Sequence, residues 1–556
     1  MSSLLPRTEL LARLQQPPPG GAWDIVVIGG GATGLGVALD AAVRGLSVAL
    51  VESHDFSAGT SSRATKLVHG GVRYLAQGNI ALVREALQER TRLLANAPHV
   101  AQRVPFVMPG YHWWECGFYG TGLKAYDALA GSQGLGATEL LSTRRTLELM
   151  PGLKGRGLWG GVRYWDGQFD DARLALLLAR TAAARGAVVI NHCAAESLLR
   201  EGGRVQGVQA RCRETGTALV LRSRCVVNAT GVWVDAVRDM DHDAAGSHAG
   251  SHAGSHAGSH ADSTAGASAT PAKPSAMVAP SQGVHLIVDR AFMPGPHALL
   301  VPKTADGRVL FAVPWLGKTI LGTTDTPRQD LPREPKPFPE EVNFILGEAG
   351  RYLARAPQRS DVRSVWVGMR PLVKPADEDV GNTKALSREH TVLVGRSGLV
   401  TVTGGKWTTY RAMAEDVLDR CMAAGLLARR AGNVTTRLPL LGAAPGRPLG
   451  EPPGEHLYGS EAALLRSLPG ARNWLWRDAE SGQGAMSEAM VRFAVRYEMA
   501  RTVEDVLARR SRVLFLDASE AARQADAVAA VMAEELGTAP DTAAFMALAA
   551  QYQQLP

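Results

Sequence analysis

Residues 24–52 read DIVVIGGGATGLGVALDAAVRGLSVALVE, and the order of residue types in this stretch decides the fold. Ile25 to Ile28 form an apolar run that predicts a buried parallel strand. The run leads into Gly29, Gly31 and Gly34 at G-x-G-x-x-G spacing, then into an Ala/Val/Leu-periodic helix ending near Arg44-Gly45. A second apolar strand, Ser47 to Val51, finishes on Glu52. The first glycine permits a tight turn, the second lets a pyrophosphate approach the backbone, and the third lets helix and strand pack closely. The helix N-terminus then offers N–H groups and a positive dipole end to phosphates. Glu52 stands where a carboxylate accepts ribose hydroxyls, and it would repel a 2′-phosphate. The unit therefore predicts binding of FAD or NAD in preference to NADP.

Outward from this unit, the chain has 556 residues and needs more than one domain. Its 46% hydrophobic and 20% charged residues describe a globular protein, with a modest net charge of +7. The charge suits anionic substrates or an anionic lipid surface, and no basic block or stripe suggests a nucleic-acid partner. Cys116, Cys193, Cys212, Cys225 and Cys421 form no C-x-x-C pair, which argues against a disulfide framework or a zinc site. No signal peptide is read at the start, and no apolar run approaches the ~20 residues of a spanning helix.

The breakers from Pro17 to Gly21 leave residues 1–21 as a flexible N-terminus, with the folded part beginning near Ala22. From Ala187 to Val220, β-rich pieces alternate with turn signals, predicting a small meander, and Cys225–Ala229 reads as a further strand. Strands at Ala298–Pro302, Val309–Pro314 and Thr319–Gly322 would build an antiparallel sheet. Residues 241–276 read as a low-complexity insertion carrying the GSHA repeat through His248, His252, His256 and His260. A glycine in every unit disfavours a metal-holding helix there, and a surface insertion is the simpler reading. From about Pro439 the pattern is mostly helical.

Downstream of Glu52, GTSSRATKLVHGGVRYL (Gly59 to Leu75) is dense in Ser, Thr, Lys and Gly, a composition suited to lining a pyrophosphate and a flavin ring or to capping the next helix. Together GGGATGLG, TSSRATKLVHGGVRYL, VVNATGVWV, GTTDT, GMRPL and TGGKWTTYR resemble the FAD-dependent, quinone-linked glycerol-3-phosphate dehydrogenases, within the D-amino-acid-oxidase-like flavoproteins. The resemblance implies an α/β fold with a discontinuous Rossmann-like FAD-binding domain over 22–430. It also implies an interleaved antiparallel-sheet substrate domain, mainly 80–150 and 277–390, and a helical C-terminal domain over 431–556. The implied reaction is oxidation of glycerol 3-phosphate to dihydroxyacetone phosphate, with electrons passed from FAD to a membrane quinone. By motif, Gly29, Gly31, Gly34 and Glu52 would hold the ADP part of FAD. Thr60, Ser61, Ser62, Lys66 and Leu67 would lie along the pyrophosphate and flavin. Thr230 and Gly231 would close over the cofactor, and Asp325, Gly404, Gly405, Lys406 and Thr408 would approach the flavin and ribityl chain.

The same resemblance assigns Arg73, Tyr74, Arg388 and Lys406 to substrate binding, where guanidinium groups suit a phosphate dianion. Arg370 also matches a substrate-binding position of the family, and with His285 as base it would polarise the alcohol or orient the developing ketone. His69 and His285 are the two candidate proton acceptors, with His285 preferred because an antiparallel substrate sheet should floor the flavin. No metal-ligand constellation is expected. An oxygen-using glycerol-3-phosphate oxidase, an amine oxidase of the same group and a nonenzymatic or tRNA-modifying FAD-binding protein are the competing readings. A quinone acceptor implies peripheral contact with anionic lipid at the cytoplasmic face of the inner membrane, or else a cytoplasmic enzyme, and a homodimer is compatible with either. The aromatic segment from Tyr111 to Leu129, with Trp113, Trp114, Phe118, Tyr119, Tyr126 and Lys124, reads either as a lipid-facing patch or as core filling.

Overall fold

The structure is a computed structural model that describes residues 6–71, 79–247, 275–304, 307–374 and 389–556. The GSHA repeat and the predicted site residues Arg73, Tyr74 and Arg388 lie outside the described residues.

The opening apolar run forms the strand Trp23–Ile28, with Ile25, Val26 and Val27 wholly buried. It pairs in parallel with Val48–Val51 on one side and with Ala218–Asn228 on the other. The sheet runs in the order His390–Val394, Leu399–Gly404, Ala218–Asn228, Trp23–Ile28, Val48–Val51, Val188–Ile190. Strands buried on both faces need near-continuous apolar residues, and Trp23–Ile28 and Val48–Val51 supply them. Because the chain leaves Trp23–Ile28 for one side and returns on the other, a crevice opens at that strand's carboxyl end. The glycines lie there. The helix Ala32–Val43 follows, covered by Asp171–Ala184 and Tyr410–Ala423.

The meander and the Cys225 strand turn out to be continuous. Ala218–Asn228 is a single strand whose first half pairs antiparallel with Arg204–Cys212, while its second half enters the parallel sheet. Burial records the change: residues alternate exposed and buried up to Arg224, then Cys225 to Asn228 are all buried. The helix Val234–Ser247 likewise runs past Asp241, where the low-complexity composition begins.

A second sheet of ten strands carries the substrate-domain segments. Val278–Asp289 lies between Ser364–Val373 and Lys318–Gly322, and Leu310–Trp315 and Ala298–Val301 extend the sheet. Ala298–Val301 then meets Ala101–Gly110 in a parallel junction, so the sheet is not antiparallel throughout. Gly160–Phe169 and Leu67–Val68 complete it, from sequence outside the ranges expected for this domain. The sheet curls. Thr65, beside one terminal strand, lies 2.9 Å from His285 near the other end of the strand order.

The C-terminal part is mainly helical, with Glu488–Glu498, Ala518–Leu536 and Ala543–Gln553, plus the hairpin Trp474–Arg477/Gly484–Ser487. Its apolar faces join Phe106, Tyr164, Trp315 and Trp366 of the second sheet in one core.

One buried and two half-buried histidines predict acid sensitivity. His99 is fully buried, neither ring nitrogen has a hydrogen-bond partner among the described residues, and burial with Arg173 and Arg180 nearby lowers its pKa to about 3. His54 and His456 are lowered to about 4. As pH falls below about 6.5 the unfolded chain takes up these protons while the native state refuses them. Stability is therefore expected to decline from about pH 6.5 towards pH 3, each histidine contributing up to about 1.4 kcal/mol per pH unit. Urea unfolding across this range should show that decline, and His99→Gln should flatten it by one proton's share.

Candidate active site

The glycine unit is shaped by close approach. A Cβ on Gly34 would lie 1.9 Å from the Gly29 carbonyl oxygen, so only glycine lets the helix sit this near the strand. Gly29 has φ +109°, and a Cβ there would meet the Ala229 carbonyl oxygen at 2.7 Å. At the start of the helix, the Ala32 N–H donates to Ser61 Oγ at 3.0 Å. Glu52, at the end of its strand, accepts from the Gly30 N–H at 2.7 Å and the His54 N–H at 2.8 Å.

These groups line one cavity of about 420 Å³, within the usual size of cofactor sites. From Glu52, Ser53 and His54 the lining passes along Gly31, Ala32 and Ser57 to Ser61, then reaches Gly404, Gly405, Lys406 and Trp407. Thr230, Gly231 and Trp233 also line it, as do Leu331, Arg333 and Pro371, with Trp233 Nε1 donating to the Leu331 carbonyl. The lining thus includes the Glu52 carboxylate, a helix N-terminus and the glycine pair Gly404-Gly405 at positive φ. That succession fits an extended dinucleotide. FAD would be held by Glu52 at the ribose, Gly31 and Ser61 at the diphosphate, and Thr60 with Gly404 to Lys406 towards the flavin.

Several expected residues sit behind the cavity. Gly34 supports it from the helix, and Ser62, Leu67, Asp325 and Thr408 do not line it. The Lys66 side chain turns away from it: Nζ donates to Asp171 Oδ2 and the Ser62 carbonyl, each at 2.7 Å. It also lies over the rings of Trp315, Trp366 and Phe515. Burial draws the Lys66 pKa down to about 7, against the pull of Asp171. Arg512 of the C-terminal part joins the cluster, donating to the Ser62 carbonyl at 2.8 Å and to Asp171 Oδ1 at 3.1 Å.

His285 and Arg370 share one face of the second sheet, since Ser281 pairs with Arg370, Gly283 with Gly368 and His285 with Trp366. The glycine pair leaves that face flat. A Cβ on Gly283 would meet Arg370 Nη2 at 2.2 Å, and one on Gly368 would meet the Arg63 carbonyl oxygen at 2.7 Å. The loop from Thr60 to Thr65 packs on this face, with Thr60 Oγ1 donating to the Met369 carbonyl at 2.5 Å. His285 stacks on Trp366 at 5.3 Å between centroids. Burial first, then the charges of Lys66 and Arg370, holds its pKa well below the ordinary value. Arg370 pairs with Asp325 at 3.2 Å and donates to the Thr324 carbonyl at 2.9 Å. Neither His285 nor Arg370 lines the cavity itself, whereas the neighbouring Pro371 does. His69 is half-buried just beyond Leu67–Val68.

Asp55, His192 and Asp505 bring three potential metal ligands together. Their charges are already matched: Arg510 Nη2 donates to Asp55 Oδ1 at 2.9 Å, Arg509 Nη2 to Asp505 Oδ1 at 2.8 Å, and His192 Nε2 lies 2.9 Å from Asp505. This is an ion-pair cluster joining the cofactor domain to the C-terminal part.

Residues 24–411 match the family model described as FAD dependent oxidoreductase. The chain belongs to that family. Residues 455–543 match the C-terminal domain of alpha-glycerophosphate oxidase. The mitochondrial glycerol-3-phosphate dehydrogenase of Macaca fascicularis is 40% identical over 547 residues, covering 92% of this chain and 70% of that protein. The mitochondrial glycerol-3-phosphate dehydrogenase SDP6 of Arabidopsis thaliana is 39% identical over 554 residues, covering 92% and 82%. Among solved structures, the glycerol-3-phosphate dehydrogenase of Bacillus halodurans complexed with FAD has a TM-score of 0.72 at 29% identity, covering 99% of this chain and 98% of that one. FAD is therefore the dinucleotide for which this cavity is built.

Two substitutions test the construction. Gly34→Ala should force strand and helix apart and leave purified protein largely without flavin, read as the 450 nm absorbance per chain. Arg512→Met takes the guanidinium away from buried Asp170 and leaves buried Asp171 to Lys66, and breaking a buried pair costs about 3–5 kcal/mol. Chemical denaturation should show a loss of that size together with reduced flavin retention.

Proposed function

We propose that the protein oxidises sn-glycerol 3-phosphate to dihydroxyacetone phosphate and passes the electrons to a membrane quinone. The observation that carries the reading is the shared face of His285 and Arg370, onto which the cofactor loop is bonded through Thr60. FAD bound in the cavity supplies the hydride acceptor. His285 takes the hydroxyl proton, and its depressed pKa keeps the imidazole neutral and able to accept one. Thr65 Oγ1 lies 2.9 Å from Nε2, and Nδ1 has no hydrogen-bond partner among the described residues. If Nε2–H donates to Thr65, the lone pair lies on Nδ1. Arg370, braced by Asp325 and by the Gln282 and Thr324 carbonyls, presents a fixed positive charge to the substrate oxygen. Lys406 supplies a cation at the cavity, and Arg73, Tyr74 and Arg388 complete the phosphate site by their motifs.

The quinone half of the reading rests on an exposed aromatic patch. Trp113, Trp114 and Phe118 are 77%, 46% and 67% exposed at the start of the helix Glu115–Ala130. Leu140 packs beside that helix at Gly120 and is itself exposed, and so is Trp159, whose N–H donates to Gly110. Lys124 and Lys154 are exposed nearby, suited to anionic headgroups. Tyr126, by contrast, is core. Among the described residues no helix is long and apolar enough to cross a membrane, so contact would be through this surface.

Turnover of glycerol 3-phosphate with a quinone analogue should exceed turnover with oxygen alone, and peroxide formation at a matching rate would make the protein an oxidase instead. Replacing Trp113 and Trp114 with Ser should release the protein from anionic vesicles and slow quinone reduction, with dye reduction unchanged. Thr65→Val should lower kcat by roughly tenfold or more, within the range for a disturbed general base, and shift its pH profile. Thr65→Ser should restore both.

A further inference from the structure

We propose that Arg333 is the cation that closes over the diphosphate of the bound dinucleotide, carried across the cavity on a strap formed by residues 331–334. The inference rests on the FAD site and not on the identity of the substrate. Leu331 and Arg333 line the same cavity as Gly31, Ala32 and Ser61, but they come from the second sheet's side of the molecule. The strap is tied at several points. Trp233 Nε1 donates to the Leu331 carbonyl at 3.3 Å, and Arg63 Nη1 donates to the Arg333 carbonyl at 3.3 Å. Glu334 pairs with Arg63 and accepts from Tyr552 Oη at 3.3 Å. Arg333 Nη2 donates to Glu504 Oε2 at 3.0 Å, and Glu504 is fixed in turn by Arg509 at 2.7 Å.

The charge balance of the cavity calls for such a group. A dinucleotide brings two negative charges at the diphosphate, and Glu52 adds another close by. The helix N-terminus offsets about half a charge. Among the described lining residues the lysine and arginine side chains are those of Lys406 and Arg333. Lys406 follows the strand Leu399–Gly404, three places in the sheet from Val48–Val51, the strand that Glu52 follows. Arg333 lies towards His54, two residues beyond Glu52: its charge is the largest electrostatic contribution to the lowered His54 pKa after burial. The contact with Glu504 uses Nη2, and Nε and Nη1 have no protein partner among the described residues. A guanidinium held by one corner retains donors for phosphate oxygens.

The test follows flavin release from diluted holoenzyme by recovery of flavin fluorescence, over a range of ionic strength. Arg333→Ala and Arg333→Met should each speed release roughly ten- to hundredfold at low salt, the range for losing a charge-assisted contact. Both should also lose most of the acceleration that salt produces in the parent. Arg333→Lys should fall between. Parent-like release from Arg333→Met would make the strap a steric cover and overturn the proposal. So would unchanged release from Arg333→Ala, or faster release with the salt dependence intact.

Discussion

The Asp171 carboxylate is wholly buried, and it is shared between Lys66 and Arg512. A charge in that position is tolerable only if its partners stay in place. The partners come from the cofactor loop, the helix Asp171–Ala184 and the C-terminal part, so one ionic contact fixes three segments together. The Ser62 carbonyl is the meeting point, accepting from both Lys66 and Arg512. The turn from Thr60 to Ser62, which supplies the Thr60 and Ser61 lining of the cavity, is thereby held from behind. Breaking the cluster would leave the strands intact and unfasten the loop.

The same cluster reaches the proposed proton acceptor, His285. Lys66 Nζ lies over the Trp366 ring, and His285 stacks on that ring. Positive charge from Lys66 and Arg370, added to burial, disfavours an imidazolium. A resting neutral histidine is the form that accepts a proton, and its weak basicity is the cost of its position. Depression of the Lys66 pKa moderates the effect, because near neutral pH the group stands close to losing its own charge.

Local patterns in the sequence carried the cofactor half of the fold. Strand, glycines, helix and acid are neighbours in the chain, and each is decided by sterics within a few residues. The His285 and Arg370 strands were visible as motifs, but their common face depends on a register between residues about 80 apart in sequence. Arg509, Arg510 and Arg512 escaped notice for a physical reason. An arginine run in a helical region reads as solvated surface; Glu504 and Asp505 are near Arg509 in sequence, but Asp55 lies 454 residues from Arg509 and Asp171 lies 341 residues from Arg512. Thr65 stands inside a recognisable motif, but its approach to His285 exists only once the second sheet curls. The aromatic segment was undecidable from periodicity because Gly117, Gly120 and Gly122 interrupt the pattern, and the helix in fact divides its aromatics between solvent and core.

That division joins the patch to the cofactor loop. Tyr126 lies on the helix that begins beside Trp113 and Trp114, yet its hydroxyl accepts from the Gly70 N–H at 2.9 Å and donates to Asp166 at 3.2 Å. Gly70 admits this contact because a Cβ there would meet the tyrosine oxygen at 2.3 Å and Leu87 at 2.5 Å. Gly70 follows His69 and stands four residues from Lys66, on the segment that leaves the cofactor loop. The two groups are therefore connected by one rigid helix and one buried hydrogen bond. A buried tyrosine bonded to Asp166, which is itself paired with Arg90 at 3.0 Å, resists rearrangement because each polar atom would lose its partner.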